Sequence, residues 1–244
     1  VPNSDYAETG SLTGTTGETI TVTCDDGYLD GGDFTCGTDG TFTGTPCREP
    51  VVCTGDYAIL TDEQLEAIAH CEVIEGSLSI GVLDTETDTW TGSALTTLAA
   101  LANLMSVGGD LNFQGNGELV SVDGLTSLTS VGENLLIRDN PLLANLEGLS
   151  NLETVGEYLA IEDNAALETI DGLSSLTSVR EELIIAGNPL LANLEGLSNL
   201  ETVGDSFMIR GNSNLDGLDG LESLHTVGGQ LEIIQNAALL EISG

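Results

Sequence analysis

The sequence predicts a mainly β chain, a β-solenoid of stacked coils preceded by a small cysteine-linked all-β module. The first observation is a strict 24-residue period, kept by Asn116, Asn140, Asn164, Asn188, Asn212 and Asn236. Gly124, Gly148, Gly172, Gly196 and Gly220 keep the same step, as do Leu104, Leu128, Leu152, Leu176, Leu200 and Leu224. So do Val107, Val131, Val155, Val179, Val203 and Val227. A fixed period of this size means that each repeat is one coil, which buries its apolar face only against the next coil. The second observation is the alternation Leu-x-Ile within each period, the pattern of a strand with one face inward. The third is that all five cysteines, Cys24, Cys36, Cys47, Cys53 and Cys71, lie in the first third of the chain. No Cys-x2-Cys spacing occurs, so disulfides suit them better than a metal.

Taken in order, residues 1–47 are rich in Gly, Thr and Asp. Alternating runs such as Thr19-Ile20-Thr21-Val22-Thr23 and turn pairs such as Asp39-Gly40 predict short strands. Residues 48–52, with Pro50, form a linker. Residues 53–75 form a cap in which Cys53 and Cys71 bracket a short helix. Thr61 is its expected N-cap, Gln64 completes a capping box, and Asp62 and Glu63 suit the positive end of the dipole. A Cys53–Cys71 bridge would pin this helix over the first coil, whose apolar interior would otherwise meet water.

The solenoid is expected over residues 76–244, starting at Gly76-Ser77-Leu78-Ser79-Ile80. The regular step would place the next equivalent leucine at position 102, but it comes later, at Leu111. The first turn therefore carries a nine-residue insertion within 82–93, which holds the single tryptophan, Trp90. In later coils Leu111/Phe113, Leu135/Ile137, Leu159/Ile161, Leu183/Ile185, Phe207/Ile209 and Leu231/Ile233 should point inward. The asparagine after each strand is expected inside the turn, its amide bonding to backbone of its own and the next coil: a structural ladder.

Two runs carry a resemblance to known families. The phrases Thr19-Ile-Thr-Val-Thr-Cys24-Asp-Asp-Gly27-Tyr28 and Phe34-Thr-Cys36-Gly-Thr-Asp-Gly40-Thr-Phe42-Thr-Gly-Thr-Pro46-Cys47 resemble part of a sushi (complement control) module. That resemblance implies a Cys24–Cys47 pair, and it implies that Cys36 pairs with a cysteine outside this chain segment. Phe42 stands where such modules usually have tryptophan. From Cys53 onward, phrases such as Gly124-Leu-Thr-Ser-Leu-Thr-Ser-Val131-Gly and Leu135-Leu-Ile-Arg-Asp-Asn140 resemble the receptor L-domain family, related to the leucine-rich repeats. The resemblance implies a right-handed β-solenoid that works as a non-enzymatic binding scaffold outside the cell. Receptor versions close with a cysteine-bearing cap and have less regular coils. Here residues 141–156 and 189–204 are identical, which implies duplication of a pair of coils and looks more like a structural rod than a receptor pocket.

Composition narrows the function. The chain has 40 acidic residues against four basic ones, all arginine (Arg48, Arg138, Arg180, Arg210), and a net charge of −36. Such a charge repels nucleic acid and anionic membranes, so neither is an expected partner. No apolar run reaches bilayer-spanning length, so no direct membrane insertion is expected. The cysteines point to an oxidising, extracellular or cell-surface setting. Val1 does not begin a signal peptide, so the chain reads as mature or as a fragment. The Thr-rich stretches 11–23 and 85–91 could carry O-linked sugar. His70 and His225 accompany no nucleophile motif, and a non-enzyme is expected.

Candidate functional residues lie on the outer faces. Asp123, Glu147, Asp171, Glu195 and Asp219 form one carboxylate column and Glu133, Glu157, Glu181 and Asp205 another. With coils about 4.8 Å apart, neighbours in such columns repel, and the first column is a candidate calcium site; no other cofactor is expected. The outward strand positions form the columns Asn112, Leu136, Ala160, Ile184, Met208, Glu232 and Gln114, Arg138, Glu162, Ala186, Arg210, Ile234. Leu136, Arg138, Ile184, Met208, Arg210 and Ile234 are the candidate binding face, with Trp90 on the insertion as a further contact. The run Leu239-Leu-Glu-Ile242-Ser-Gly244 supplies no polar cap, which suggests a fragment, removal of a glycolipid-anchor signal, or head-to-tail assembly. The expected function is structural and adhesive: a solenoid assembling end to end into a coat, wall or filament. The alternative is a receptor-type module that recognises a protein or glycan on its open sheet face.

Overall fold

The computed structural model describes residues 13–25, 28–38, 41–84 and 89–239. The Asp39-Gly40 turn, part of the Thr-rich stretches and the C-terminal residues 240–244 lie outside the described residues. The chain divides into two compact units, Val1–Val51 and Val52–Gly244.

The first unit is an antiparallel sheet of β1 (Thr19–Val22), β2 (Gly32–Cys36) and β3 (Phe42–Thr43). Ile20 faces Phe34 and Cys36 faces Phe42 across the two ladders. Val22, Phe34 and Cys47 form a small core, with Cys24, Tyr28 and Phe42 packed against it. So few apolar contacts need a covalent staple, and the Cys24–Cys47 disulfide supplies it. Cys36 is a free thiol, buried to 5% exposure in β2.

The second unit is a stack of coils, nearly all β. One parallel sheet contains β4 (Val52–Cys53), β6 (Val73–Ile74), β10 (Ser106–Val107), β12 (Ser130–Val131), β14 (Thr154–Val155), β16 (Ser178–Val179), β18 (Thr202–Val203) and β20 (Thr226–Val227). The other contains β5 (Tyr57–Ile59), β7 (Leu78–Ile80), β11 (Leu111–Gln114), β13 (Leu135–Arg138), β15 (Leu159–Glu162), β17 (Leu183–Ala186), β19 (Phe207–Arg210) and β21 (Leu231–Ile234). From β10 and β11 onward each strand pairs in register with its counterpart in the next coil, Leu135 on Leu159 and Leu159 on Leu183. The expected inward pairs from Leu111/Phe113 to Phe207/Ile209 are fully buried, but in the sixth, Leu231/Ile233, Leu231 is 51% exposed and Ile233 half-buried.

One boundary differs from expectation. Residues 53–75 are not a cap set apart from the solenoid, because β4 and β5 already pair in parallel with β6 and β7. They form a coil in which α1 (Asp62–Ala67) provides the crossover. Leu65 and Ile68 drop into the same core that the later leucines fill, so a helical turn substitutes for the usual one. The Thr61/Gln64 capping box forms, and the Cys53–Cys71 disulfide closes the coil. The nine-residue insertion is a hairpin of β8 (Val82–Asp84) and β9 (Thr89–Thr91).

The asparagine ladder runs through the stack, with a direction the sequence did not reveal. Each side-chain oxygen from Asn140 to Asn236 accepts the backbone N–H of the asparagine one coil earlier, at 2.9–3.2 Å. Each amide nitrogen donates to a carbonyl of the preceding coil, Phe113, Ile137, Ile161, Ile185 or Ile209, at 2.8–3.0 Å. The backbone bonds therefore reach the preceding coil and, at Asn164 and Asn188, also the asparagine's own coil through the Glu162 and Ala186 carbonyls, while the Asn140 amide donates onward to Asn164 Oδ1 of the next coil. The residue before each asparagine is left-handed, with φ of 55° to 75° at Gly115, Asp139, Asp163, Gly187, Gly211 and Gln235.

A second ladder escaped the sequence reading. Ser127, Asn151, Ser175, Asn199 and Ser223 donate to the carbonyls of Ala102, Thr126, Ser150, Ser174 and Ser198 at 2.6–2.7 Å. Between the ladders lie 3₁₀ turns at Ala99–Leu101, Asp123–Leu125, Glu147–Leu149, Asp171–Leu173 and Glu195–Leu197. Their first N–H groups donate to side-chain oxygens of Thr97, Ser121, Asn145, Thr169 and Asn193 at 3.0–3.3 Å. In the next coil Gly217 occupies that capping place, and instead Glu222 accepts the N–H of Gly220. The coils touch closely here: a Cβ added at Gly124, Gly148 or Gly172 would fall on the carbonyl oxygen of Leu98, Val122 or Leu146.

Candidate interaction face

Strand alternation in β11 to β21 sends every second side chain outward, and the in-register pairing lines them up coil upon coil. Among the candidates, Leu136, Arg138, Ile184 and Met208 are half-buried, Arg210 is exposed, and Ile234 is 36% exposed. Two positions of the outward column are not open: Asn112 is 6% and Ala160 0% exposed. Ala160 lies in register between Leu136 and Ile184, whose longer side chains cover its methyl. Asn112 sits between Ser79 and Leu136, and its Oδ1 has no hydrogen-bond partner among the described residues. The structure thus brings together Ile184, Met208, Arg210 and Ile234, while buried Ala160 separates Leu136 from them.

Arg138 is spoken for within its own face. Its Nε lies 2.6 Å from Glu162 Oε2, an ion pair without hydrogen-bond alignment, and its Nη2 donates to Tyr158 Oη at 2.7 Å. The guanidinium also lies 5.4 Å from the Tyr158 ring centroid. Burial pushes the Glu162 carboxyl above the usual carboxylate range, with Arg138 opposing. Burial likewise raises the Tyr158 hydroxyl, against Arg138. This triad fills the outer face of β13 and β15.

One coil further on, the face is hollow. A cleft of about 110 Å³ is lined by Glu182, Ile184, Ser206, Met208, Gln230 and Glu232. A shallower recess of about 280 Å³ continues past Met208 toward Ala186, Arg210 and Glu162. Glu182, Gln230 and Tyr158 were not among the sequence candidates. The available signal was their column, Asp110, Asn134, Tyr158, Glu182, Ser206 and Gln230, which keeps the 24-residue step but not the residue type.

The remaining candidates lie elsewhere. Trp90, half-buried, pairs in register with Leu83 in the hairpin, beside Gly115 and three coils from Ile184. Asp123, Glu147, Asp171 and Glu195 each open a 3₁₀ turn, while Asp219 falls where that turn is missing. Among the described residues, the one group of three or more acid, histidine or cysteine ligand atoms within 4.8 Å of one another is Cys53, His70 and Cys71. Two of those sulfurs are joined to each other. His225 sits 3.9 Å from Glu201, both exposed. No helix among the described residues is long and apolar enough to cross a membrane.

A comparison with known protein families finds no matching family, and a comparison with curated proteins finds no match.

Proposed function

We propose that this is an extracellular, non-enzymatic surface protein, a right-handed, receptor L-like solenoid rod with a sushi-like module, working in a structural and adhesive role. The observation that carries this reading is the uniform interior. The same apolar places are filled in coil after coil from Leu78 to Leu215, the asparagine place is kept from Asn116 to Asn236, and a second polar series ties coil to coil. Such a stack resists bending and lengthens by adding coils, which suits a spacer or coat subunit. Two disulfides fit an oxidising setting. Negative-stain electron microscopy and light scattering of the native, unreduced protein test the reading. Fibres, sheets or linear assemblies are expected; monomers dispersed at every concentration would overturn it.

A second reading is favoured by a specific observation, the hollow on the outer face at Ile184 and Met208. On that reading the protein is a receptor-type module whose sheet face meets a partner.

A further inference from the structure

We propose that the cleft between Glu182 and Glu232 seats a lysine side chain presented by a partner protein. The inference deepens the second reading above and rests on this face being a contact surface.

Its size comes first. At about 110 Å³ the cleft is well below the roughly 300–1,000 Å³ of sites that enclose drug-sized ligands, and it suits one long side chain. Ile184 and Met208 pair in register on adjacent strands and form an apolar floor. Glu232 follows Met208 in the same column, while Glu182 stands two residues before Ile184, so the two glutamates line the cleft at diagonally separated places around the floor. Among the described residues neither carboxylate makes an ion pair, and no basic residue lines the cleft.

An apolar floor between separated carboxylates matches a side chain with a methylene stem and a charged tip. It matches lysine better than arginine. The guanidinium fork wants two oxygens on one side, whereas an ammonium is a compact charge with donors in several directions. These 244 residues contain no lysine, so the same residues of a second copy cannot supply the occupant. A net charge of −36 steers a basic partner toward the face.

Methionine methyl NMR on the whole chain tests this, because the protein has only two methionines, Met105 and Met208. Met105 precedes β10 in the opposite sheet and serves as the internal control. Titration with the peptide acetyl-Gly-Gly-Lys-Gly-Gly-amide should shift the Met208 signal saturably and leave Met105 still. Added salt should weaken binding, and the same peptide with acetyl-lysine, norleucine or arginine should bind less well. The double variant Glu182→Gln, Glu232→Gln should lose about tenfold in affinity or more, with an unchanged Met105 signal showing that it folds. A Met208 signal that does not move up to about 10 mM peptide overturns the assignment. So does equal binding of the norleucine or arginine peptide, or an unaffected double variant. Assembly in the electron microscope is independent of this titration, so a silent Met208 in a protein that forms fibres defeats the cleft alone.

Discussion

Replacing Asn164 with alanine removes the middle rung of the ladder, and the cost can be worked from its bonds. Its Oδ1 accepts the Asn140 N–H at 3.1 Å, and its Nδ2 donates to the Ile137 carbonyl at 2.9 Å. All of Asn140, Ile137 and Asn164 are at 0% exposure, so water cannot take over either bond without opening the coil. A buried polar group left without a partner costs about 1–3 kcal/mol, so two orphans cost about 2–6 kcal/mol. Asn236 makes the same two kinds of bond, to Asn212 and Ile209, which are also buried, but Asn236 itself is 8% exposed, so truncating it opens both partners to water and should cost about 1 kcal/mol. Asn164→Asp separates the two roles. It keeps the acceptor for Asn140 but aims a buried carboxylate at the Ile137 carbonyl, so at neutral pH it should be at least as damaging as alanine. That carboxyl would be raised in the folded state, so stability should return as pH falls and the proton restores a donor. Denaturant unfolding of the three variants, compared at equal m-value, measures the differences. An Asn164→Ala cost within about 0.5 kcal/mol of zero, or one smaller than that of Asn236→Ala, would refute the account, because the ladder would then be incidental to the stack.

Three other outcomes follow from the geometry. Gly148→Ala should destabilise by about 3 kcal/mol or more, because its Cβ would fall on the Val122 carbonyl, whereas Gly117→Ala, with nothing within 4 Å, should be neutral or stabilise by up to about 1 kcal/mol; thermal melts distinguish them. Gln235→Gly should stabilise by about 1 kcal/mol, since Gln235 is held at φ 58° in a place that favours glycine; a lower melting point would count against the strain. The raised Glu162 carboxyl holds its proton more tightly folded than unfolded, so its contribution to stability is full below the ordinary carboxylate range and is lost as pH rises through the raised value. Glu162→Gln should flatten that part of the stability–pH profile, and an unaltered profile would show that the shift comes from elsewhere.

The interior was legible in the sequence because it has no freedom. Coils stack about 4.8 Å apart, so each inward place admits one class of residue, and repetition of that class at 24-residue steps announces it. The same logic exposed Trp90's insertion, since a hairpin must break the step. The second ladder was missed because its members alternate between serine and asparagine, two chemistries that make the same bond to the preceding coil. The start of the stack was misplaced because the first coil crosses through a helix, and Leu65 and Ile68 at helical spacing do not look like the later 3₁₀ turns. On the outer face, alternation told which side chains leave the sheet but not which neighbours cover them. Ala160 is outward in direction and buried in fact, because the column around it is longer.

The internal duplication gives the outer face its sharpest contrast. Residues 141–156 recur as 189–204, so places two coils apart are equivalent. In the first copy the outer face is closed by Arg138, Tyr158 and Glu162 bound to one another. In the second copy those three places hold Ala186, Ser206 and Arg210, and the hollow opens there, with Glu182 in the place of Asn134 and Met208 in the place of Ala160. The inward residues of the two copies stay leucine or phenylalanine and isoleucine throughout. The frame is therefore common to both, and the cleft is made by outward side chains alone. Copying the first face onto the second, with Ala186→Arg, Ser206→Tyr and Arg210→Glu, should fill the hollow without touching the core. The Met208 methyl should then stop responding to the lysine peptide while the unfolding midpoint stays near that of the parent chain. A response that survives the transplant would place the binding determinant outside these coils, and a collapse in stability would mean that the frame is less independent of its face than the burial pattern implies.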